Sequence, residues 1–123
     1  AAARRATLCV RVDGGGTAAF PGAVRRGPLT IAVSTGGRAP VVARWLREEL
    51  ETAYGPEWGA LVGLLGELRD HPAVRDRLDG LTDAQRRARW RSVMGTDIVS
   101  LLRSGRTDLA WEVAIACLSS SSD

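Results

Sequence analysis

The chain has no lysine: all 17 of its basic residues are arginine, set against 14 acidic ones. We read this as compositional bias, although arginine does offer planar, bidentate recognition of carboxylates and phosphates. The formal net charge of +3 admits an acidic ligand without demanding a nucleic acid. Histidine occurs once and cysteine twice, as Cys9 and Cys117. That set is too small for a disulfide framework and poor for zinc, so no metal site is expected. Aromatic residues make up only 5%. No apolar run is long enough to span a bilayer, and Ala1 to Arg5 are not followed by the apolar stretch of a signal peptide. A cytoplasmic protein with no membrane partner is expected. What remains is a 123-residue chain, 45% hydrophobic, which is too apolar for disorder. Its length suits one medium domain or two small lobes.

The first half reads as strands and loops, the second as helices. Leu8, Val10 and Val12 alternate along Ala6 to Val12, a strand signature. Asp13-Gly14-Gly15-Gly16 ends that strand. Thr17 to Pro28 carries Pro21, Gly22, Gly27 and Pro28 and reads as loop, with one turn of helix at Ala23 to Arg26. Leu29 to Ser34 is a second strand, apolar on both faces apart from Thr30, as central strands are. Pro40 suits a first helical turn. Val42, Leu46, Leu50 and Ala53 then form an apolar stripe, with Arg44–Glu48 and Arg47–Glu51 as i,i+4 pairs outside it. Gly55-Pro56 stops this helix. Trp58, Leu61, Leu65 and Leu68 mark the next, which ends at His71-Pro72. A short helix follows over Ala73 to Leu78. Thr82 with Gln85 reads as a capping box for a helix to Met94, and Gly95 closes it. Ile98 to Arg103 and a segment opened by Thr107, carrying Leu109, Trp111, Val113 and Cys117, complete the helices.

Several motifs invite a functional reading. Gly14-Gly15-Gly16-Thr17-Ala18-Ala19 matches G-x-G-x-x-A after a strand. A dinucleotide fingerprint needs a helix start facing the pyrophosphate, and Pro21-Gly22 interrupts it within one turn. We read a surface loop. Asp13 lies at the C-terminal end of its strand, where open α/β sheets gather ligands; it can accept a proton, bind a ribose or cap a turn. Ser34-Thr35-Gly36-Gly37 lies between a buried strand and a helix start, with Arg38 beside it. Two glycines let backbone N–H groups converge on an anion, and they equally serve a tight turn. Both readings stay open. His71 reads as a solvated loop residue. Arg86, Arg87, Arg89 and Arg91 around Trp90 read as a solvated helix face, so no nucleic acid partner is expected.

The order of these pieces resembles the siroheme synthase family. The resemblance rests on Val10-Arg11-Val12-Asp13, on Thr17 to Pro21, on the run from Ala23 through Pro40, and on Ala43-Arg44, Arg47 and Leu50-Glu51. It is strong over about residues 8 to 51. The family comprises precorrin-2 dehydrogenases, some of them also sirohydrochlorin ferrochelatases. The resemblance implies NAD-dependent oxidation of precorrin-2 to sirohydrochlorin, an intertwined homodimer, and Asp13 as the catalytic residue. It implies that Ser34, Thr35, Gly36 and Gly37 line the tetrapyrrole pocket. Arg26 and Arg38 are the nearest partners for the substrate's acetate and propionate groups. Thr35 keeps a hydroxyl where the family usually has serine.

The implied fold is an α/β remnant of a Rossmann domain with about two strands, then a dimerisation segment, then an all-helical C-terminal lobe. The implied divisions are 1–27 for the Rossmann remnant, 28–54 for the dimerisation segment, 55–118 for the helical domain and 119–123 for a polar tail. The family's glycine fingerprint has no counterpart here. NAD is therefore expected to be held mainly by a region outside this chain, which reads as the back half of such an enzyme. The alternative is a non-catalytic dimerisation or tetrapyrrole-binding module. The enzyme reading places Asp13 and Thr35 in one cleft at a dimer interface.

Overall fold

The structure, a computed structural model, describes residues 7–11 and 22–119. The chain divides into two units, Ala1–Val62 and Gly63–Asp123. A small sheet followed by helices is the order expected from the sequence.

The first unit holds a three-stranded sheet in the order β1-β3-β2. Its strands are β1 (Thr7–Arg11), β2 (Ala23–Arg26) and β3 (Leu29–Ser34). Both neighbours run antiparallel to β3, with Thr7 opposite Ser34, Arg11 opposite Thr30, and Val24 opposite Ile31. The central position of β3 matches its apolar run, interrupted only by Thr30: Leu29 through Val33 are all buried. One hydroxyl in that run, Thr30 Oγ1, is buried with no hydrogen-bond partner among the described residues. Such a group costs stability, because it leaves water and gains nothing in return.

The third strand corrects the helical turn read at Ala23 to Arg26. Val24 is buried while Arg25 is exposed, an alternation of period two. Arg26 pairs with Leu29, so Gly27-Pro28 is a two-residue hairpin loop. Gly27 has φ of 60°. Pro28 cannot take a second positive φ, so the loop follows the II′ pattern, whose twist suits the flanking strands.

Helix α1 (Pro40–Ala53) packs on β2 and β3. Proline opens it, as expected, and Arg47 bridges Glu51 at 3.1 Å. The expected stripe is present in sequence, yet none of the helix's residues is buried. Val41, Val42 and Trp45 are 72%, 44% and 58% exposed. Helix α2 (Pro56–Arg69) follows, and the unit boundary falls within it. Its Gly59 lies against the backbone of Arg26 in β2.

The second unit consists of the end of α2 with α3 (Pro72–Asp79), α4 (Asp83–Met94), α5 (Ile98–Arg103) and α6 (Thr107–Ser119). Helix α6 is its hub and touches α3, α4 and α5. The buried face of α6 is Ala110, Ala114 and Leu118, spaced four apart. Short alanine side chains let neighbouring helices approach closely, and Leu68, Val93, Ile98 and Leu118 fill the centre with almost no exposure. Each such leucine or isoleucine contributes about 1.5–3 kcal/mol relative to exposure. The expected stripe differs: Leu109 is exposed, while Trp111, Val113 and Cys117 are half-buried.

The local caps follow the sequence closely. Gln85 N–H donates to Thr82 Oγ1 at 3.1 Å, and Thr82 N–H donates to Gln85 Oε1 at 2.9 Å, which is the capping box. His71 departs from the solvated reading. It is the N-cap of α3: its Nδ1 accepts from Ala73 N–H at 3.2 Å, and its ring meets Trp111 edge-on.

Candidate functional site

The turn between β3 and α1 carries five of the expected site residues. Gly36 and Gly37 have φ of 65° and 78°, values that side chains beyond Cα disfavour. The geometry therefore requires glycine at both positions, whatever the turn binds. Most of its backbone donors are occupied within the turn. Gly36 N–H donates to Ser34 Oγ at 3.3 Å, Arg38 N–H to the Thr35 carbonyl at 3.2 Å, and Ala39 N–H to Thr35 Oγ1 at 3.2 Å. Pro40 has no N–H. Thr35 is buried, so its hydroxyl ties the turn to the helix start.

What the turn leaves open is smaller and specific. Gly37 N–H has no acceptor among the described residues. Ser34 is half-buried, and Arg38 is exposed, its guanidinium having no hydrogen bond or ion pair among the described residues. One amide and one guanidinium beside a hydroxyl make a modest anion-binding edge, suited to a carboxylate.

Arg26 is elsewhere. It pairs with Leu29, at the end of β3 opposite Ser34. Five strand residues separate those ends by about 17 Å. Its guanidinium is engaged with the last turn of α1: Nε donates to the Tyr54 carbonyl at 2.8 Å and Nη2 to the Glu51 carbonyl at 3.0 Å. These carbonyls have no intrahelical partner, and a cation there complements the helix dipole. Arg26 thus holds α1 against the sheet. Arg26→Ala is expected to lower the stability of the first unit by about 1–2 kcal/mol, the scale of charge-assisted hydrogen bonds at a part-buried site. Arg26→Lys should recover less than half, since an ammonium cannot span both carbonyls as the guanidinium does. Urea denaturation followed by tryptophan emission checks both.

Asp13 and the Gly14 to Ala19 loop lie outside the described residues. The preceding strand is described, and Arg11 at its end pairs with Thr30, toward the Arg26 end of β3. Of the basic run in α4, two members serve the fold. Arg86 Nη1 donates to the Leu78 carbonyl at 3.1 Å, and Arg89 Nη1 donates to the Leu118 carbonyl at 3.0 Å. No group of three His, Cys, Asp or Glu residues suited to a metal ion occurs among the described residues. No helix among them is long and apolar enough to cross a membrane.

Comparison with known proteins bears on this turn directly. The family model for the sirohaem biosynthesis protein central region matches residues 26–53, which contain Arg26, the β3–α1 turn and all of α1. A siroheme synthase of Pseudoalteromonas translucida is 42% identical over 91 residues, 74% of this chain and 18% of that protein. One from Xylella fastidiosa is 40% identical over 98 residues, 80% of this chain and 20% of its own length. A third, from Pseudomonas paraeruginosa, is 40% identical over 87 residues, 71% of this chain and 18% of its own length. The chain thus spans about a fifth of the length of these curated relatives. No solved structure matches it.

Proposed function

The chain belongs to the siroheme synthase family, and we propose that it supplies the tetrapyrrole-handling part of a precorrin-2 dehydrogenase of siroheme or cobalamin biosynthesis. The observation that carries this reading is the β3–α1 turn, with its open Gly37 amide and unpartnered Arg38 guanidinium, inside the matched stretch. Precorrin-2 bears acetate and propionate arms around an apolar macrocycle. Arg38 takes one such carboxylate by paired N–H donors, Gly37 N–H adds a third, and Ser34 and Thr35 line the same edge. Asp13 accepts a proton from the macrocycle as it is oxidised. Arg26 acts as a positioning residue that fixes α1 and leaves the carboxylates to Arg38.

The family's hydride acceptor is NAD. The described residues do not fit it. At the strand-to-helix turn among the described residues of the first unit, the amides of Gly36, Arg38 and Ala39 are occupied and Pro40 has none, so the single open amide of Gly37 is too few donors for a pyrophosphate. We therefore derive no step through NAD from this chain.

The uncovered face of α1 supports a pairing of two copies, with the tetrapyrrole edge at or near their interface. That face also supports the second reading, a non-catalytic module that dimerises and binds tetrapyrrole. Both readings place the protein in the cytoplasm.

Absorbance titration of the full chain with sirohydrochlorin, with and without NAD, tests the reading. Binding is expected, indifferent to NAD, and weakened about tenfold by Arg38→Ala, the loss of one charge-assisted contact. No binding, or binding unchanged by Arg38→Ala, overturns it. In an enzyme that performs the whole oxidation, Asp13→Ala should abolish turnover while sirohydrochlorin still binds. Retained turnover would leave only the second reading.

A further inference from the structure

A groove of about 430 Å³ lies in the second unit, between the end of α2, α3 and α4. That volume falls within the range of small-molecule sites. Its floor is apolar: Val74 and Leu78 line it and are 3% and 6% exposed. Trp90, half-buried on α4, adds a flat aromatic surface.

Three arginines line the same groove, in two different conditions. Arg86 is held in place, with Nη1 on the Leu78 carbonyl at 3.1 Å and Nη2 on Asp83 at 2.9 Å. It stands one helical turn from Trp90. The guanidinium groups of Arg69 and Arg75 have no hydrogen bond or ion pair among the described residues. Asp76 and Asp79 also line the groove, yet neither is bridged to either arginine. Two cations that ignore neighbouring carboxylates remain available to a ligand's own carboxylate. The aspartates, in turn, repel a ligand that is anionic on every side.

We infer that this groove binds an amphipathic monoanion: a flat apolar body that rests on Trp90, Val74 and Leu78 and presents one carboxylate to Arg69 and Arg75. The site shares no residue with the proposed tetrapyrrole edge and selects a different charge pattern. A polycarboxylate is disfavoured here by Asp76 and Asp79.

The test uses two probes with one apolar body and opposite charge, 1-pyrenecarboxylate and 1-pyrenemethylammonium, each titrated into the full chain by fluorescence anisotropy. The carboxylate is expected to bind at least tenfold more tightly than the ammonium. Arg69→Gln with Arg75→Gln should weaken the carboxylate about tenfold, and Trp90→Ala should weaken it by a similar factor. Arg69 and Arg75 are exposed, so the paired variant keeps its fold, which circular dichroism verifies. Trp45→Glu should change nothing, because Trp45 does not line the groove. Equal binding of both probes means apolar adhesion alone and overturns the inference. So do the absence of carboxylate binding, indifference to the arginine variant, or loss of binding with Trp45→Glu. None of these outcomes touches the sirohydrochlorin titration, which reads Arg38.

Discussion

Gly59→Ala is expected to destabilise the first unit by about 3 kcal/mol, the upper end of the cost of overpacking. A Cβ built at Gly59 would overlap the Arg26 carbonyl oxygen and stand 2.6 Å from its carbonyl carbon. Neither atom belongs to a flexible side chain. The backbone of β2 or of α2 has to move, and β2 is paired to the central strand through Val24 and Ile31. Alanine would otherwise favour a helix by about 1 kcal/mol over glycine, so the sign itself is diagnostic. Amide exchange checks it: protection should fall in Ala23–Arg26 and Leu29–Ser34, with α3 to α6 unaffected. Protection that holds or rises would mean that α2 does not rest on β2 at Gly59.

The second large effect concerns the outer face of α1. The chain is expected to scatter light at twice its 13.1 kDa mass. Val42→Glu with Trp45→Glu should return it to the single mass. Val41, Val42 and Trp45 put an exposed apolar surface on a helix that buries none of its own residues. Interface tryptophans carry about 2 kcal/mol or more each, and a charge placed on a desolvated face costs a similar amount. Together they weaken dimerisation by roughly a thousandfold. Both positions are already exposed, so the variant should fold as the parent does. A single mass for the parent chain at high concentration would refute the dimer and, with it, a tetrapyrrole edge at the interface of two copies.

Much of this architecture was legible because its signals are short-range. Thr82 and Gln85 are three residues apart, and their reciprocal bonds depend only on one helical turn. Pro40 and the Leu29–Ser34 run announced a helix start and a central strand for equally local reasons. Strand β2 was missed because four residues, two of them arginine, give too little pattern against a Gly/Pro-rich background. The Gly27-Pro28 loop was the available clue. The buried face of α6 was missed because Ala110 and Ala114 are ordinary in a hydrophobicity count, while Leu109 and Trp111 are conspicuous. Their burial follows from how closely neighbouring helices approach, and small side chains permit that approach.

The candidate site divides in the same way. The sequence alone determined that Ser34 to Arg38 form a glycine-dependent turn between a buried strand and a helix, since strand pattern, glycine pair and proline lie within a dozen residues. The tertiary structure decided which polar groups in it remain free. It occupied the amides of Gly36, Arg38 and Ala39 and left Gly37 N–H and the Arg38 guanidinium. It also engaged Arg26 through a hydrogen bond to a carbonyl 28 residues away, and Arg89 through one 29 residues away. A long arginine side chain is satisfied by whichever carbonyls the fold brings within reach. No local pattern encodes that distance, because it depends on hairpin register and helix packing established across the whole unit.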